Sequence, residues 1–125
     1  MLQATEKQKS ILLKAVIKIA KSSQMFRNVK NVSQFIENYF CNVALSDISQ
    51  SSPEKLFGLV QAHWKFALER EHKKALVHIY NPSYKEDCWY CEHTVIEIIN
   101  DDMPFLVDSI TLELNRLGLT PHLVL

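Results

Sequence analysis

A short segment with two cysteines and a histidine has the residue types and spacing closest to those of a chemical site. Cys88 and Cys91 have the CxxC spacing, and His93 follows two residues later. Thiolates at this spacing can supply two of the four tetrahedral ligands of a zinc ion, and His93 could supply a third. The fourth ligand would have to come from elsewhere in the chain, where the candidates are His72, His78 and Cys41.

A surface loop with free thiols explains this segment with fewer assumptions than a zinc site. The sequence has no second paired element with finger-like spacing, so we expect no metal and keep Cys88, Cys91 and His93 only as weak candidates. A redox CxxC motif needs a helix N-terminus that lowers the thiol pKa, whereas this motif precedes a predicted strand. An odd count of three cysteines favours free thiols over disulfides. The preferred interpretation is an ordinary surface loop.

Composition excludes several classes of function. Fourteen basic and fourteen acidic residues give a net charge of zero, so nothing favours nucleic acid or an acidic substrate. The polar N-terminus lacks the apolar stretch of a signal peptide, and no apolar run has the roughly 20 residues of a membrane span. We therefore expect a soluble, cytoplasmic protein. Two glycines cannot build a Gly-rich dinucleotide turn, so no cofactor site is expected within this chain.

The first part of the chain, residues 1–75, reads as a helical subdomain. Apolar residues recur at helical spacing between residues 12 and 20, then along Val32–Phe40, and again from Pro53 to about Glu71. Ser52 is the expected N-cap of the third helix because Pro53 suits the first helical position. These helices should enclose an apolar core.

The second part, residues 76–125, reads as mixed α and β. Leu76–Tyr80 and His93–Ile99 are β-rich, and the second strand is apolar enough to be buried on both faces. Residues 100–102 should cap a helix with Pro104 in its first turn, and Gly118 should end that helix. Its buried face is expected to be formed by Leu106, Val107, Ile110, Leu114 and Leu117. Residues 119–125 then read as a strand, which predicts a right-handed βαβ crossover and an α+β fold packed as one globular unit.

One run of residues carries a family resemblance. The segment NDDMPFLVDS at residues 100–109, followed by ELNR at 113–116 and Gly118-Leu119, resembles the N-terminal region of the large bacterial NAD-specific glutamate dehydrogenases. Tyr39-Phe40, HWKFA at 63–67 and VHIYNP at 77–82 fall in the expected order for that family. The resemblance implies that residues 76–125 are a partial ACT-like, ferredoxin-like unit, truncated at its C-terminal end.

The resemblance also implies a role. The parent enzyme is an NAD-dependent oxidoreductase that deaminates L-glutamate to 2-oxoglutarate and ammonia, in a catalytic region outside this chain. This segment would then be a non-catalytic regulatory and assembly piece, with the remainder of the parent chain and the other subunits of a homo-oligomer as partners. The alternative is a free-standing ACT-like module that senses amino acids or binds proteins. A native gene that continues for many hundreds of residues would favour the first reading.

The resemblance also suggests which residues would contact an amino-acid effector. Candidate contacts for an amino-acid effector are Asp101, Asp102, Met103, Pro104 and Phe105. ACT modules that bind amino acids typically have glycine where this chain has Phe105, and a phenyl group should fill the ligand's space. Packing and assembly is therefore the preferred role over effector binding.

Two further features suggest contacts with other polypeptide chains. A partial ACT-like sheet leaves at least one strand edge open, and open edges promote pairing with another chain, so we expect the segment to self-associate. Tryptophan is enriched at interfaces, and the loop position of Trp89 favours it over Trp64. The interface candidates are Trp89, Leu123 and Leu125.

Overall fold

The computed structural model describes residues 2–69, 74–101 and 104–125, and for Leu2 and Gln3 it describes the backbone only. Within these ranges the chain forms six helices and two strands, so the fold is α+β. The helices are α1 (Leu2–Ser22), α2 (Val32–Tyr39), α3 (Leu45–Ile48), α4 (Pro53–Leu68), α5 (Tyr84–Asp87) and α6 (Leu106–Arg116), and the strands are β1 (Leu76–Tyr80) and β2 (Val95–Ile99). No helix in the described ranges is long and apolar enough to cross a membrane.

The first four helices enclose the hydrophobic core, as their periodicity predicts. Phe26, in the connection between α1 and α2, is buried at the centre of an aromatic cluster and contacts the rings of Phe35, Phe57 and Trp64 at centroid distances of 5.4–6.3 Å. The other fully buried large side chains come from all four helices and the α2–α3 connection; they are Val16, Ile36, Phe40, Ile48, Leu56 and Val60. This core is independent of the sheet.

Helix α4 begins where the sequence predicts, and its start is held by a side-chain cap. The hydroxyl of Ser52 accepts a 3.1 Å hydrogen bond from the backbone N–H of Lys55, and Pro53 occupies the first helical position. The helix is described as far as Leu68, and the expected end near Glu71 lies outside the described residues.

The two strands form an antiparallel pair with an unusual division of residue types. Leu76 pairs with Ile99 and Tyr80 with Val95, which places His78 opposite Glu97. Because successive side chains alternate between faces and paired residues share a face, one face carries His78, Tyr80 and Glu97 together with the aliphatic Leu76, Val95 and Ile99. We call this the inner sheet face. The opposite face, which we call the outer sheet face, consists of Val77, Ile79, Ile96 and Ile98.

The expected βαβ crossover is wrong, because residues 119–125 form no strand. Helix α6 ends at Arg116, and Leu117 is its C-cap. Gly118 follows the cap with a φ of +78°, which allows Leu119 N–H to bond the carbonyl of Leu114 and Gly118 N–H to bond that of Asn115. The following segment then turns to the helical core, where Leu123 packs as a half-buried residue. A β-rich pattern becomes a strand only beside a partner edge. In this segment Leu123 packs on the helical core instead, while Leu119, Val124 and Leu125 are exposed.

Helix α6 also differs from expectation at its start and along its apolar face. The helix begins at Leu106, and its N-cap is Phe105, which has a left-handed conformation and makes no side-chain cap hydrogen bond. Ile110 and Leu114 are half-buried as part of the predicted face. Val107 and Leu117 are exposed, because α6 has little contact with the helical core.

Candidate functional site

The junction between the helices and the inner sheet face brings together several polar side chains. Glu97 is only 6% exposed, and its Oε1 accepts a 2.6 Å hydrogen bond from the Tyr80 hydroxyl. Its Oε2 is also buried and has no hydrogen-bond partner among the described residues. The His78 ring stacks on that of Tyr80 with centroids 4.3 Å apart, and the ring of Phe66 of α4 lies 5.5 Å from that of His78. The strand register thus aligns a carboxylate, a phenol and an imidazole.

Trp89 closes this junction from the α5–β2 connection. Its side chain is 3% exposed and packs so closely on α4 that a Cβ added at Gly58 would lie 2.7 Å from three of its atoms. Only glycine permits such an approach of helix backbone and indole. Trp89 does lie in a loop, as predicted, but its side chain is buried within this chain, so its role at an interface stays a prediction.

A second hydrogen-bonded pair links α2 with α4 near the same junction. The Tyr39 hydroxyl and Nδ1 of His63 are 3.0 Å apart. Burial, and to a smaller extent the charge of Glu97, raise the pKa of Tyr39 well above its usual value. Burial and the hydrogen bond to Glu97 raise the pKa of Tyr80 in the same direction. Both phenols are therefore neutral hydrogen-bonding groups, which suits a structural role more than proton transfer.

The cysteine segment shows no arrangement for binding a metal within the described residues. Cys88 is exposed in a left-handed conformation, while the half-buried Cys91 accepts a hydrogen bond from the backbone N–H of His93 at 3.4 Å. The exposed ring of His93 stacks on His122, with centroids 4.4 Å apart. Among the described residues, no three histidine, cysteine or acidic side chains form a group able to hold a metal ion, and His72 lies outside those residues.

The candidate effector turn is an exposed surface feature where it is described. Asp101, Pro104 and Phe105 are exposed, whereas Asp102 and Met103 lie outside the described residues. Phe105 is 75% exposed, and the expectation that its phenyl group fills a ligand's space stays a prediction. Its φ of 61° is nevertheless a left-handed conformation, which glycine adopts without strain. The backbone here has a glycine-like geometry although the residue is phenylalanine.

The remaining interface candidates separate into two kinds. Leu123 packs against the helical core, so it stabilises this chain itself, whereas Leu125 is exposed. Sequence reasoning missed a larger exposed surface, the outer sheet face, on which Val77 and Ile79 are 60% and 62% exposed. The signal for it was available, because Val77 and Ile79 alternate with His78 and Tyr80 along β1.

Comparisons with known proteins give a consistent result. A family model described as "Glutamate dehydrogenase, ACT1 domain" matches residues 35–125. The NAD-specific glutamate dehydrogenase of Pseudomonas aeruginosa is 34% identical over 91 residues, and that of Halomonas elongata is 34% identical over 93 residues. These matches cover 73% and 74% of this chain but only 6% of each relative. No solved structure matches.

Proposed function

The chain belongs to the glutamate dehydrogenase ACT1 family, and from this premise we propose that it is a regulatory and assembly segment of a much longer NAD-specific glutamate dehydrogenase. The parent enzyme would convert L-glutamate, NAD and water to 2-oxoglutarate, ammonia and NADH. The observation that carries the proposal is the family match over residues 35–125, supported by two relatives that are named for this activity. The chain spans about 6% of the length of those relatives.

The residues of this chain support a non-catalytic role within such an enzyme. NAD binding by a Rossmann site requires several glycines at a strand-to-helix turn, and the chain has only Gly58 and Gly118. Gly58 lies inside α4 against Trp89, and Gly118 ends α6. The polar side chains at the junction bond to one another and pack against aromatic rings. We therefore place NAD binding and the dehydrogenase reaction elsewhere in the cytoplasmic parent polypeptide.

Assembly is preferred over effector binding because of where the chain exposes apolar surface. The candidate effector turn combines an acidic residue, Asp101, with an exposed Phe105, and a carboxylate there disfavours the carboxylate of an amino-acid ligand. The outer sheet face, in contrast, presents an uncharged apolar surface of the kind that packs against another polypeptide. Partners would be other parts of the parent chain and other subunits of a homo-oligomer.

Removing the segment from the parent enzyme tests this proposal. We expect a parent polypeptide that lacks residues 1–125 to form NADH from glutamate with its catalytic centre intact, but to show a changed oligomeric state in light scattering. Adding the 125-residue chain back in trans controls for nonspecific damage by the deletion. An unchanged oligomeric state together with unchanged kinetics would contradict the proposal, and so would NAD reduction by the 125-residue chain alone.

A further inference from the structure

Two buried polar atoms at the junction between the helices and the inner sheet face have no hydrogen-bond partner among the described residues. They are Nε1 of Trp89 and Oε2 of Glu97, and the two residues are 3% and 6% exposed. A buried donor or acceptor that is left without a partner keeps the full cost of its desolvation. In folded chains nearly all such atoms are therefore bonded to the protein or to an ordered water molecule.

Both atoms lie beside the hydroxyl group of Tyr80. That hydroxyl donates to Oε1 of Glu97 at 2.6 Å, so Oε2 of the same carboxylate is its close neighbour. The rings of Tyr80 and Trp89 are 6.4 Å apart between centroids and nearly perpendicular. Burial and Glu97 raise the pKa of Tyr80, and Trp89 acts in the opposite direction because its indole N–H lies near the phenol oxygen. The unpartnered donor and the unpartnered acceptor thus belong to one small region.

These two atoms determine the chemistry of a group that can bind between them. An indole N–H only donates and a carboxylate oxygen only accepts, so the bound group has to accept one hydrogen bond and donate another. A cation offers no lone pair to the indole, and the carboxylate repels an anion. Protonation of Oε2 would replace the acceptor by a donor and leave the indole N–H without a partner. A water molecule meets both requirements.

We propose that the junction binds one buried water molecule, which accepts a hydrogen bond from Nε1 of Trp89 and donates one to Oε2 of Glu97. The proton of the Tyr80 hydroxyl is used in the bond to Glu97, so the hydroxyl oxygen is able to accept the second proton of the water. The water then has about three partners, which is the usual number for a buried one. It links β1 and β2 to the α5–β2 connection, and Trp89 in turn packs that connection on α4.

The closed surroundings of the site favour water over a larger solute that carries a hydroxyl group. Nε1 of Trp89 and Oε2 of Glu97 are both inaccessible to solvent. The indole packs so closely on Gly58 of α4 that a larger solute would have to separate the helix from the ring. A water molecule needs little room and can enter during brief local opening. The site uses only residues of this chain, so the inference does not depend on the proposed function.

Nuclear Overhauser effects between water and the indole N–H of Trp89 test the inference in the ¹⁵N-labelled 125-residue chain. We expect a signal with the sign of a water molecule that tumbles together with the protein. Glu97→Gln keeps a polar group that can bond to the water and should keep the signal, whereas Glu97→Met should reduce it at least about threefold. Glu92→Met, at an exposed position of the same connection, is the matched control and should leave the signal unchanged. Tyr80→Phe excludes a relay through the hydroxyl proton, and the signal should persist in it.

Each other outcome overturns the inference. The native chain would then show no water signal at the Trp89 indole, or the signal would be undiminished in Glu97→Met, or it would disappear in Tyr80→Phe. A crystal structure of the native chain is a second measurement, which does not require Glu97→Met to fold. Electron density for one oxygen within hydrogen-bond distance of both Nε1 of Trp89 and Oε2 of Glu97 would support the inference. A direct bond between these two atoms would overturn it and leave the proposed function standing.

Discussion

The Tyr80 hydroxyl donates a 2.6 Å hydrogen bond to Oε1 of Glu97 across the two strands. Glu97 is the only polar or charged residue in the described part of the chain whose side chain is buried. A buried carboxylate is costly unless its oxygens receive hydrogen bonds. This one bond therefore has a larger effect on the position of β2 than an exposed bond of the same length.

Replacing Tyr80 by phenylalanine should destabilise the chain. The substitution removes the donor and leaves a buried carboxylate without it, which costs about 1–3 kcal/mol in the free energy of unfolding. Urea denaturation of the 125-residue chain measures this cost. Tyr90→Phe is the matched control, because Tyr90 is 52% exposed and a surface change of this kind stays within about 0.5 kcal/mol.

The double variant Tyr80→Phe with Glu97→Met should recover most of the stability lost by Tyr80→Phe alone. Replacing both partners of a buried polar pair by apolar groups of similar shape is often close to neutral, whereas removing one partner is not. A double-mutant cycle gives the coupling between the two sites. Additive losses in this cycle would show that the hydrogen bond does not account for the effect of Tyr80→Phe.

Stability should fall at alkaline pH because of Tyr39. Burial raises the pKa of Tyr39 in the folded chain above the value of about 10 in the unfolded chain. The contribution of Tyr39 to the free energy of unfolding is therefore fully present below pH 10. It is lost as the pH rises further, because the unfolded chain releases the phenol proton while the folded chain retains it. The expected slope is about −1.4 kcal/mol per pH unit for this one group. Between pH 9 and pH 11 the total fall in the free energy of unfolding should therefore be smaller by about 1.4 kcal/mol in Tyr39→Phe, as measured by denaturation.

The sequence was sufficient to predict helix ends that are set by a capping residue or by a glycine within one helical turn. Ser52 and Pro53 identify the start of α4, and Gly118 identifies the end of α6, because a cap and a left-handed residue act within one helical turn. The two strands were also expected from the β-rich character of Leu76–Tyr80 and His93–Ile99. The family resemblance of residues 100–119 was confirmed by the comparisons.

Features that depend on distant parts of the chain were not predictable in this way. Residues 119–125 have a β-rich pattern, but their structure depends on whether a sheet edge or the helical core covers Leu123. The loop position of Trp89 suggested exposure, and only the approach of Gly58 from α4 shows why the indole is buried. Similarly, the alternation along β1 divides its residues between two faces without showing which face meets the core.

Gly58→Ala should destabilise the chain although alanine is the better helix former. A Cβ at this position would lie 2.7 Å from the Cβ, Cγ and Cδ2 atoms of Trp89, so the helix and the indole would have to separate. Overpacking of this kind costs about 1–3 kcal/mol, against a helix-propensity gain of about 1 kcal/mol. Chemical denaturation gives the net loss, and the fluorescence of Trp89 should report greater exposure to water.

A smaller side chain at position 89 should relieve that loss. We expect Gly58→Ala to cost less in the background of Trp89→Leu than in the native chain. Gly118→Ala provides the contrast, since its cost comes from a φ of +78° and no atom lies within 4 Å of an added Cβ. Trp89→Leu should not alter the cost of Gly118→Ala. If it relieved both glycine variants equally, the contact between Gly58 and Trp89 would not be the cause.

Phe105→Gly should leave the chain at least as stable as Phe105→Ala, against the usual ranking of the two residues. Phe105 has a φ of 61°, and the left-handed conformation costs an L-residue about 1–2 kcal/mol, which glycine avoids. Glycine also increases the entropy of the unfolded chain, at a cost of about 0.4–1 kcal/mol. The phenyl ring is 75% exposed, so either substitution removes little burial. We expect the glycine variant to exceed the alanine variant by about 1 kcal/mol in urea denaturation. A more stable alanine variant would contradict the left-handed assignment, and with it the glycine-like geometry of this turn.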